Sequence, residues 1–271
     1  MTHLAIKLKT CWAEFKGDLI KFNLKNLLYK LLKMEIWLIS QILLNRWVLD
    51  FEKRSISSFI QRTAAAIPGH AHILDAGAGN RPYAHFFTLC HYESCDLSPN
   101  VLGPGFHDFH CDLSEAIPRP EATYDAVIAT QVLEHLQDPR QAIKEFYRVL
   151  KPGGALILTC PQGGPLHEEP HHYFNFTIYG LELLFKQAGF KTIAVKARGG
   201  YFRVLGFRCM NLFYMLSNQK DLGVMPIISF ILLAPVVQPV LAFIIPILSL
   251  LLDPLDYEKK LTLGYACLCH K

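Results

Sequence analysis

The stretch Ile73-Leu74-Asp75-Ala76-Gly77-Ala78-Gly79-Asn80 reads as the end of a buried strand, an acid, and a turn carrying two glycines. Glycine tolerates the left-handed conformations such a turn demands and lets backbone approach a ligand closely. In an open parallel sheet this is the connection leaving the first strand, at the end of the sheet where ligands bind. Asp96 follows about 20 residues later, the spacing at which a second strand presents a carboxylate to ribose hydroxyls. Ser98-Pro99, directly after it, suits a helix N-cap and first helical position.

Working outward, short apolar runs alternate with helical patterns. Strands are predicted at residues 71–76, 91–96, 106–112, 124–130, 155–160, 191–197 and 263–270, with helices notably at 139–150 and 177–188. Strand and helix in alternation mean a mainly parallel sheet with crossovers. Pro68-Gly69 punctuates the chain before the first strand, and Pro152-Gly153-Gly154 is expected to end a helix and turn into the strand from 155. At 271 residues the chain fits one α/β domain with appendages.

Composition narrows the partners. The net charge is only +4, with lysines concentrated before residue 35, which argues against a nucleic-acid domain and suits an anionic membrane surface. The eight cysteines form no C-x-x-C pair, so a reduced, cytosolic protein is expected. The opening MTHLAIKLKTCWAEFKGDL has no apolar core of secretory length, and no signal peptide is expected. A nicotinamide fingerprint needs a third glycine where Pro82 stands in Gly77-x-Gly79-x-x-Pro82, which lowers the dinucleotide reading.

Residues 71–202 resemble the class I methyltransferases dependent on S-adenosylmethionine (SAM), especially the small-molecule branch with a D-x-G-x-G first motif. The resemblance implies a doubly wound, Rossmann-like α/β fold with a seven-stranded sheet, mainly parallel with an antiparallel last strand. It implies that Asp75, Gly77 and Gly79 cradle the methionine part of SAM, that Asp96 takes the ribose, and that Asp112 approaches the adenine amino group. The run from Tyr124 to Leu136 looks like the fourth strand and following turn, where Gln131 would line the methionine end. Val149-Leu150-Lys151-Pro152-Gly153-Gly154 resembles the next signature. Many relatives carry a third glycine where Arg81 stands, which leaves open whether Arg81 itself contacts the cofactor carboxylate.

His167-Glu168-Glu169-Pro170-His171-His172 formally matches the zinc pattern H-E-x-x-H, which works only where a helix puts both histidines on one face. Pro170 disfavours that helix, and no metal is expected. The segment instead reads as a loop at the carboxyl end of the fifth strand, and HEEPHHYFNFT resembles a stretch of methyltransferases acting on polysaccharide and lipid-linked precursors. Methyl transfer to oxygen or nitrogen often needs a base, and His135, His167 and His171 are the catalytic candidates, with His172 beside them. Whether they act as base or only line a polar lid stays open.

The flanks are expected to be apolar. Trp12, Phe15, Leu19 and Phe22 recur at helical spacing opposite Lys7, Glu14, Asp18, Lys21 and Lys25, an amphipathic helix, and 27–60 continues as helix with too many charges to span a bilayer. Residues 222–252 carry no charge, but Pro235 and Pro239 divide them into halves too short to cross, so a re-entrant or monotopic hairpin is expected. The domain division expected is a helical arm (1–68), a SAM-binding core (69–200), an apolar helical insertion (201–258) and a final core strand (259–271). The resulting expectation is an enzyme on the cytoplasmic side of a membrane that methylates a lipid or lipid-linked saccharide. A soluble enzyme for a small metabolite, and a SAM-binding scaffold without turnover, are the alternatives.

Overall fold

In a computed structural model, which describes residues 50–97, 106–217 and 240–271, strand β1 (His72–Ala76) buries four residues in succession. A strand buried on both faces belongs at the centre of a parallel sheet. Its neighbours are β2 (His91–Asp96), β3 (Phe109–His110), β4 (Tyr124–Thr130), β5 (Leu150–Pro161), β6 (Thr192–Ala197) and β7 (Gly264–His270). The sheet order is β3-β2-β1-β4-β5-β7-β6. Strands β1 to β5 run parallel, and β7 runs antiparallel between β5 and β6, as the resemblance implies. Strand order reverses between β1 and β4, so a crevice opens beyond their carboxyl ends, the place where doubly wound sheets hold ligands.

The chain divides into two compact units, and the sheet lies in the one comprising Glu52–Val204 and Leu255–Lys271. Alternate residues of the central strands feed two cores. Leu74, Val127, Ala129, Leu156 and Leu158 pack with Ala142, Ile143 and Phe146 and with Leu181 and Phe185. Ile73, Ala126, Ile128 and Ile157 pack on the other face with Ile56 and Ile60, Tyr83 and Phe87. Ile56 and Ile60 belong to helix α1 (Phe51–Ala64), and the first set of helical residues to α2 (Pro139–Val149) and α3 (Ile178–Ala188). Helix α2 starts where Asp138 accepts from the amides of Arg140 and Gln141 at 3.1 and 3.2 Å, with Pro139 supplying a first position that needs no donor. Helix α3 is capped by Thr177 and ends at Gly189 in the left-handed conformation, φ 106°.

Two expectations need correction. The strand expected at 106–112 shrinks to Phe109–His110: the Asp108 amide still donates to the Ser94 carbonyl at 3.0 Å, but the Asp108 carboxylate takes the Ser94 amide at 2.8 Å, in place of a backbone carbonyl. The Pro-Gly-Gly run does not end α2, which stops at Val149; Leu150 already pairs with Tyr124. Residues 151–154 instead bulge opposite Asp125, whose two carboxylate oxygens hold the Lys151 ammonium at 2.9 and 2.8 Å.

The described residues of the other unit are 50–51, 205–217 and 240–254. Helix α4 (Tyr201–Ser217) supplies Gly206, where a Cβ would meet the Ser249 hydroxyl and come within 3.0 Å of Phe51. Ser249 lies on α5 (Ile245–Leu252), and its hydroxyl donates to the Pro246 carbonyl at 2.7 Å. The expected amphipathic helix before residue 50, most of the helix at 27–60, the Ser98-Pro99 cap and the first part of the apolar stretch lie outside the described residues. Among the described residues no helix is long and apolar enough to cross a membrane.

Candidate active site

The glycine turn after β1 is held from the second strand. The amides of Gly77 and Ala78 both donate to the Cys95 carbonyl, at 2.9 and 3.1 Å, and the Gly79 amide donates to Asp96 Oδ2 at 2.8 Å. Gly77 has φ 71° and Gly79 φ 52°. A Cβ on Gly77 would stand 2.6 Å from Val132 Cγ2, whereas one on Gly79 would meet nothing within 4 Å. Gly77 is thus required by packing and backbone together, and Gly79 by backbone at an open surface.

Asp75 lies buried beneath this turn. Tyr92 donates its hydroxyl to Asp75 Oδ2, while Oδ1 has no hydrogen-bond partner among the described residues. Burial pushes the carboxyl up to about 6. Arg81, at φ 54°, donates to the Phe106 carbonyl at 3.2 Å, and its guanidinium stands 5.0 Å from the Tyr92 ring centroid and 5.9 Å from that of Phe106. The residue in place of the family's third glycine is therefore engaged in pinning the segment after β2's loop to the turn.

The other expected cofactor residues gather at the same end of the sheet. The Cys111 amide donates to the Asp96 carbonyl at 3.1 Å, which sets Asp112 two residues beyond His110, the β3 residue paired with Asp96; Asp112 Oδ1 accepts from the Ser114 amide at 2.8 Å. Gln131, at φ 54°, donates its amide to the Thr159 carbonyl at 2.9 Å and its side-chain nitrogen to the Thr159 hydroxyl at 3.1 Å. The chemistry of the set fits an amino-acid-bearing nucleoside: an orphaned buried acceptor at Asp75, an open approach at Gly79, and a carboxylate at Asp96.

A second cluster follows β4 and β5. Residues 162–177 form a loop without helix, and the Tyr173 and Phe174 amides donate to the Glu134 carbonyl at 2.8 and 3.3 Å. This brings His135 and His167 together, ring centroids 4.8 Å apart. His171 contributes only its carbonyl, 2.9 Å from His135 Nδ1, while its own ring lies against the Tyr173 hydroxyl at 3.0 Å. His172 takes the expected place of His171, its ring 4.4 Å from that of His167. Its imidazole is held below the ordinary range, first by burial and then by the two neighbouring histidines. Glu134, not singled out by sequence reasoning, is fully buried, its carboxylate oxygens have no hydrogen-bond partner among the described residues, and burial pushes it up to about 8. A glutamate in the short helical turn Leu133–His135 that follows β4 carries no sequence mark of such burial.

A seven-stranded doubly wound sheet with a reversed strand next to its edge, a glycine turn after β1 and a carboxylate at the end of β2 define the class I SAM-dependent methyltransferase fold. A family model described as methyltransferase domain matches residues 48–195, more than half the chain. The chain belongs to this family, whose members use SAM as cofactor. A probable SAM-dependent methyltransferase of Mycolicibacterium smegmatis is 35% identical over 88 residues, covering 30% of this chain and 34% of that protein. The malonyl-[acyl-carrier protein] O-methyltransferase of Enterobacter lignolyticus is 32% identical over 130 residues, covering 44% and 49%. Among solved structures, a phosphoethanolamine N-methyltransferase 2 of Haemonchus contortus, in complex with phosphomonomethylethanolamine and S-adenosylhomocysteine, shares the fold at TM-score 0.50 and 16% identity, covering 88% of this chain and 57% of that one. The chain spans between 13% and 49% of the length of curated relatives that it matches.

Proposed function

We propose that this protein transfers a methyl group from SAM to a lipid or lipid-linked saccharide at the cytoplasmic face of a membrane. The observation that carries the lipid part is an exposed apolar stripe at and along α5: Ile244, Ile247, Leu248 and Leu251, the last 70% exposed. These recur at helical spacing inside a stretch of about 30 uncharged residues, and an exposed apolar patch of this kind suits contact with lipid. The relative that acts on a malonyl group carried by acyl carrier protein is consistent with a lipid-related acceptor. We further propose the division into an arm (1–68), a core (69–200), an insertion (201–258) and a final strand (259–271).

SAM, when bound, supplies an electrophilic methyl on a sulfonium. The chain's own residues would do the rest. The turn Asp75 to Gly79 admits the amino-acid end, Asp96 and Asp112 hold the nucleoside, and Gln131 is positioned by Thr159 at the mouth of β4. Alignment of acceptor with methyl is the main source of rate in such a displacement. His135 and His167, whose rings lie 4.8 Å apart in the loop beyond β4 and β5, would take an acceptor proton.

The test is cosedimentation with anionic vesicles of wild type and of an Ile247→Glu, Leu251→Glu variant, together with labelled-SAM incorporation into a membrane lipid extract. Vesicle binding lost in the variant while SAM binding persists, with label in the lipid phase, supports the proposal. Wild type that ignores vesicles and labels only water-soluble metabolites points to the soluble enzyme; SAM binding without any labelled product points to a scaffold.

A further inference from the structure

We infer that Glu134, His135, His167 and His172 form a binding site for a zinc-like divalent transition-metal ion. One donor atom each from Glu134, His135 and His167 lie within 4.8 Å of one another. Three points separated by no more than that fit in a circle of radius about 2.8 Å, against metal–ligand distances of about 2.0–2.2 Å. Closing on an ion therefore asks each group to move by less than about 1 Å, within reach of a side chain on a loop.

The tautomers are set for ligation. His135 Nδ1 faces the His171 carbonyl at 2.9 Å and His167 Nδ1 faces the Pro165 carbonyl at 3.2 Å. A carbonyl only accepts, so both rings carry their proton on Nδ1 and direct the Nε2 lone pair elsewhere. Metal-ligating histidines are ordinarily held this way, by a carbonyl or carboxylate on the other nitrogen. His135 Nε2 lies 4.0 Å from Glu134 Oε1 and 3.8 Å from Glu168 Oε2.

The second, independent observation is polar groups buried with nothing to bind. Glu134 is fully buried and neither carboxylate oxygen has a hydrogen-bond partner among the described residues; the same holds for both ring nitrogens of His172. Unpaired buried polar atoms are costly, and the two Glu134 oxygens, one of them within 4.8 Å of donor atoms of His135 and His167, call for an occupant. The His172 ring stands 4.4 Å from the His167 ring and 5.8 Å from the His135 ring, near enough to serve as a fourth ligand after a rotation of its side chain. Imidazoles with one carboxylate suit zinc, cobalt, nickel or ferrous iron over magnesium or calcium. The sequence expectation of no metal rested on the H-E-x-x-H pair His167 and His171 lacking a helix; the inferred site takes His135 and His172 with His167 instead. An ion here would take the Nε2 lone pairs that His135 and His167 would otherwise offer to an acceptor proton, and would itself hold the acceptor oxygen in their place, a step that rests on the proposed methyl transfer, whereas the binding itself does not.

Chelator-treated protein is titrated with Co2+ alone, read by visible d–d absorption, and with Zn2+ by calorimetry. Wild type should saturate at one equivalent. His167→Ala and His172→Ala should each weaken binding by roughly tenfold or more, and His171→Ala should stay within about twofold. Circular dichroism and SAM binding confirm that each variant is folded, and keep failure of this site distinct from failure of the cofactor site. Folded wild type without Co2+ or Zn2+ binding overturns the inference, as does loss in His171→Ala equal to that in His172→Ala.

Discussion

The Gly79 amide donates to Asp96 Oδ2 at 2.8 Å, so the turn after β1 is fastened to the acid that ends β2. One carboxylate therefore both shapes the turn and offers its charge to the crevice. A hydrogen bond to a charged group is worth about 1.5–3 kcal/mol. Asp96→Ala should lower SAM affinity by roughly tenfold or more. Asp96→Asn keeps an acceptor for Gly79 and should lose less. Calorimetry on both variants separates the two roles, and equal affinity in Asp96→Ala and wild type would falsify the placement of SAM.

Asp75 should make stability fall as pH rises. Its folded carboxyl is raised from 3.8 to about 6 by burial, so between those values the native state holds a proton that the unfolded chain has lost. The contribution of Asp75 is then greatest below about pH 4, declines through the window, and levels off above about pH 6. The decline is on the order of 3 kcal/mol, from about two pH units at 1.36 kcal/mol each. Asp75→Asn can still accept from Tyr92 and carries no charge. Denaturant unfolding of wild type and variant at the two ends of the window should show the variant's own slope flattened by this amount.

How much of this was legible in the sequence depends on how far chemistry travels along the chain. Strand 124–130 matches its predicted bounds because an apolar run with turn residues at both ends is a local signal, and strand 91–96, though polar in composition (HYESCD), matches because Asp96 stands at the expected spacing after the glycine turn. The glycine turn and Asp96 were legible for the same reason, since their spacing is fixed by one strand and one crossover. The Asp108 carboxylate taking the Ser94 amide, and Lys151 closing a bulge on Asp125, are pairings between groups far apart in sequence or outside any period. The histidine loop was legible as a loop, but adjacent residues in a loop point different ways, so no pattern distinguishes His172, which enters the cluster, from His171, which turns to Tyr173.

Arg81 gives a discriminating case. It spans the rings of Tyr92 and Phe106 and bonds the Phe106 carbonyl. Arginine stacking of this kind contributes about 0.5–2 kcal/mol, and lysine does not reproduce the planar fork. Arg81→Lys should thus lower stability by about 1 kcal/mol while leaving the charge in place. A large drop in SAM affinity without loss of stability would instead assign Arg81 to the cofactor carboxylate. Thermal unfolding and calorimetry on the same sample decide between them.

Gly77 and Gly79 share a left-handed backbone but differ in surroundings, and that difference sets the last expectation. Alanine at either should cost about 1 kcal/mol for the backbone alone. At Gly77 the new methyl would stand 2.6 Å from Val132 Cγ2, so overpacking adds about 1–3 kcal/mol; at Gly79 there is open space. Gly77→Ala should therefore be the more destabilising by denaturant unfolding. Val132→Ala in the Gly77→Ala background should recover part of the loss, because removing two methyls makes room for one. A double-mutant cycle with no coupling between 77 and 132 would show that the two residues do not touch, and with that the close packing of the first turn onto the residue after Gln131 would have to be redrawn.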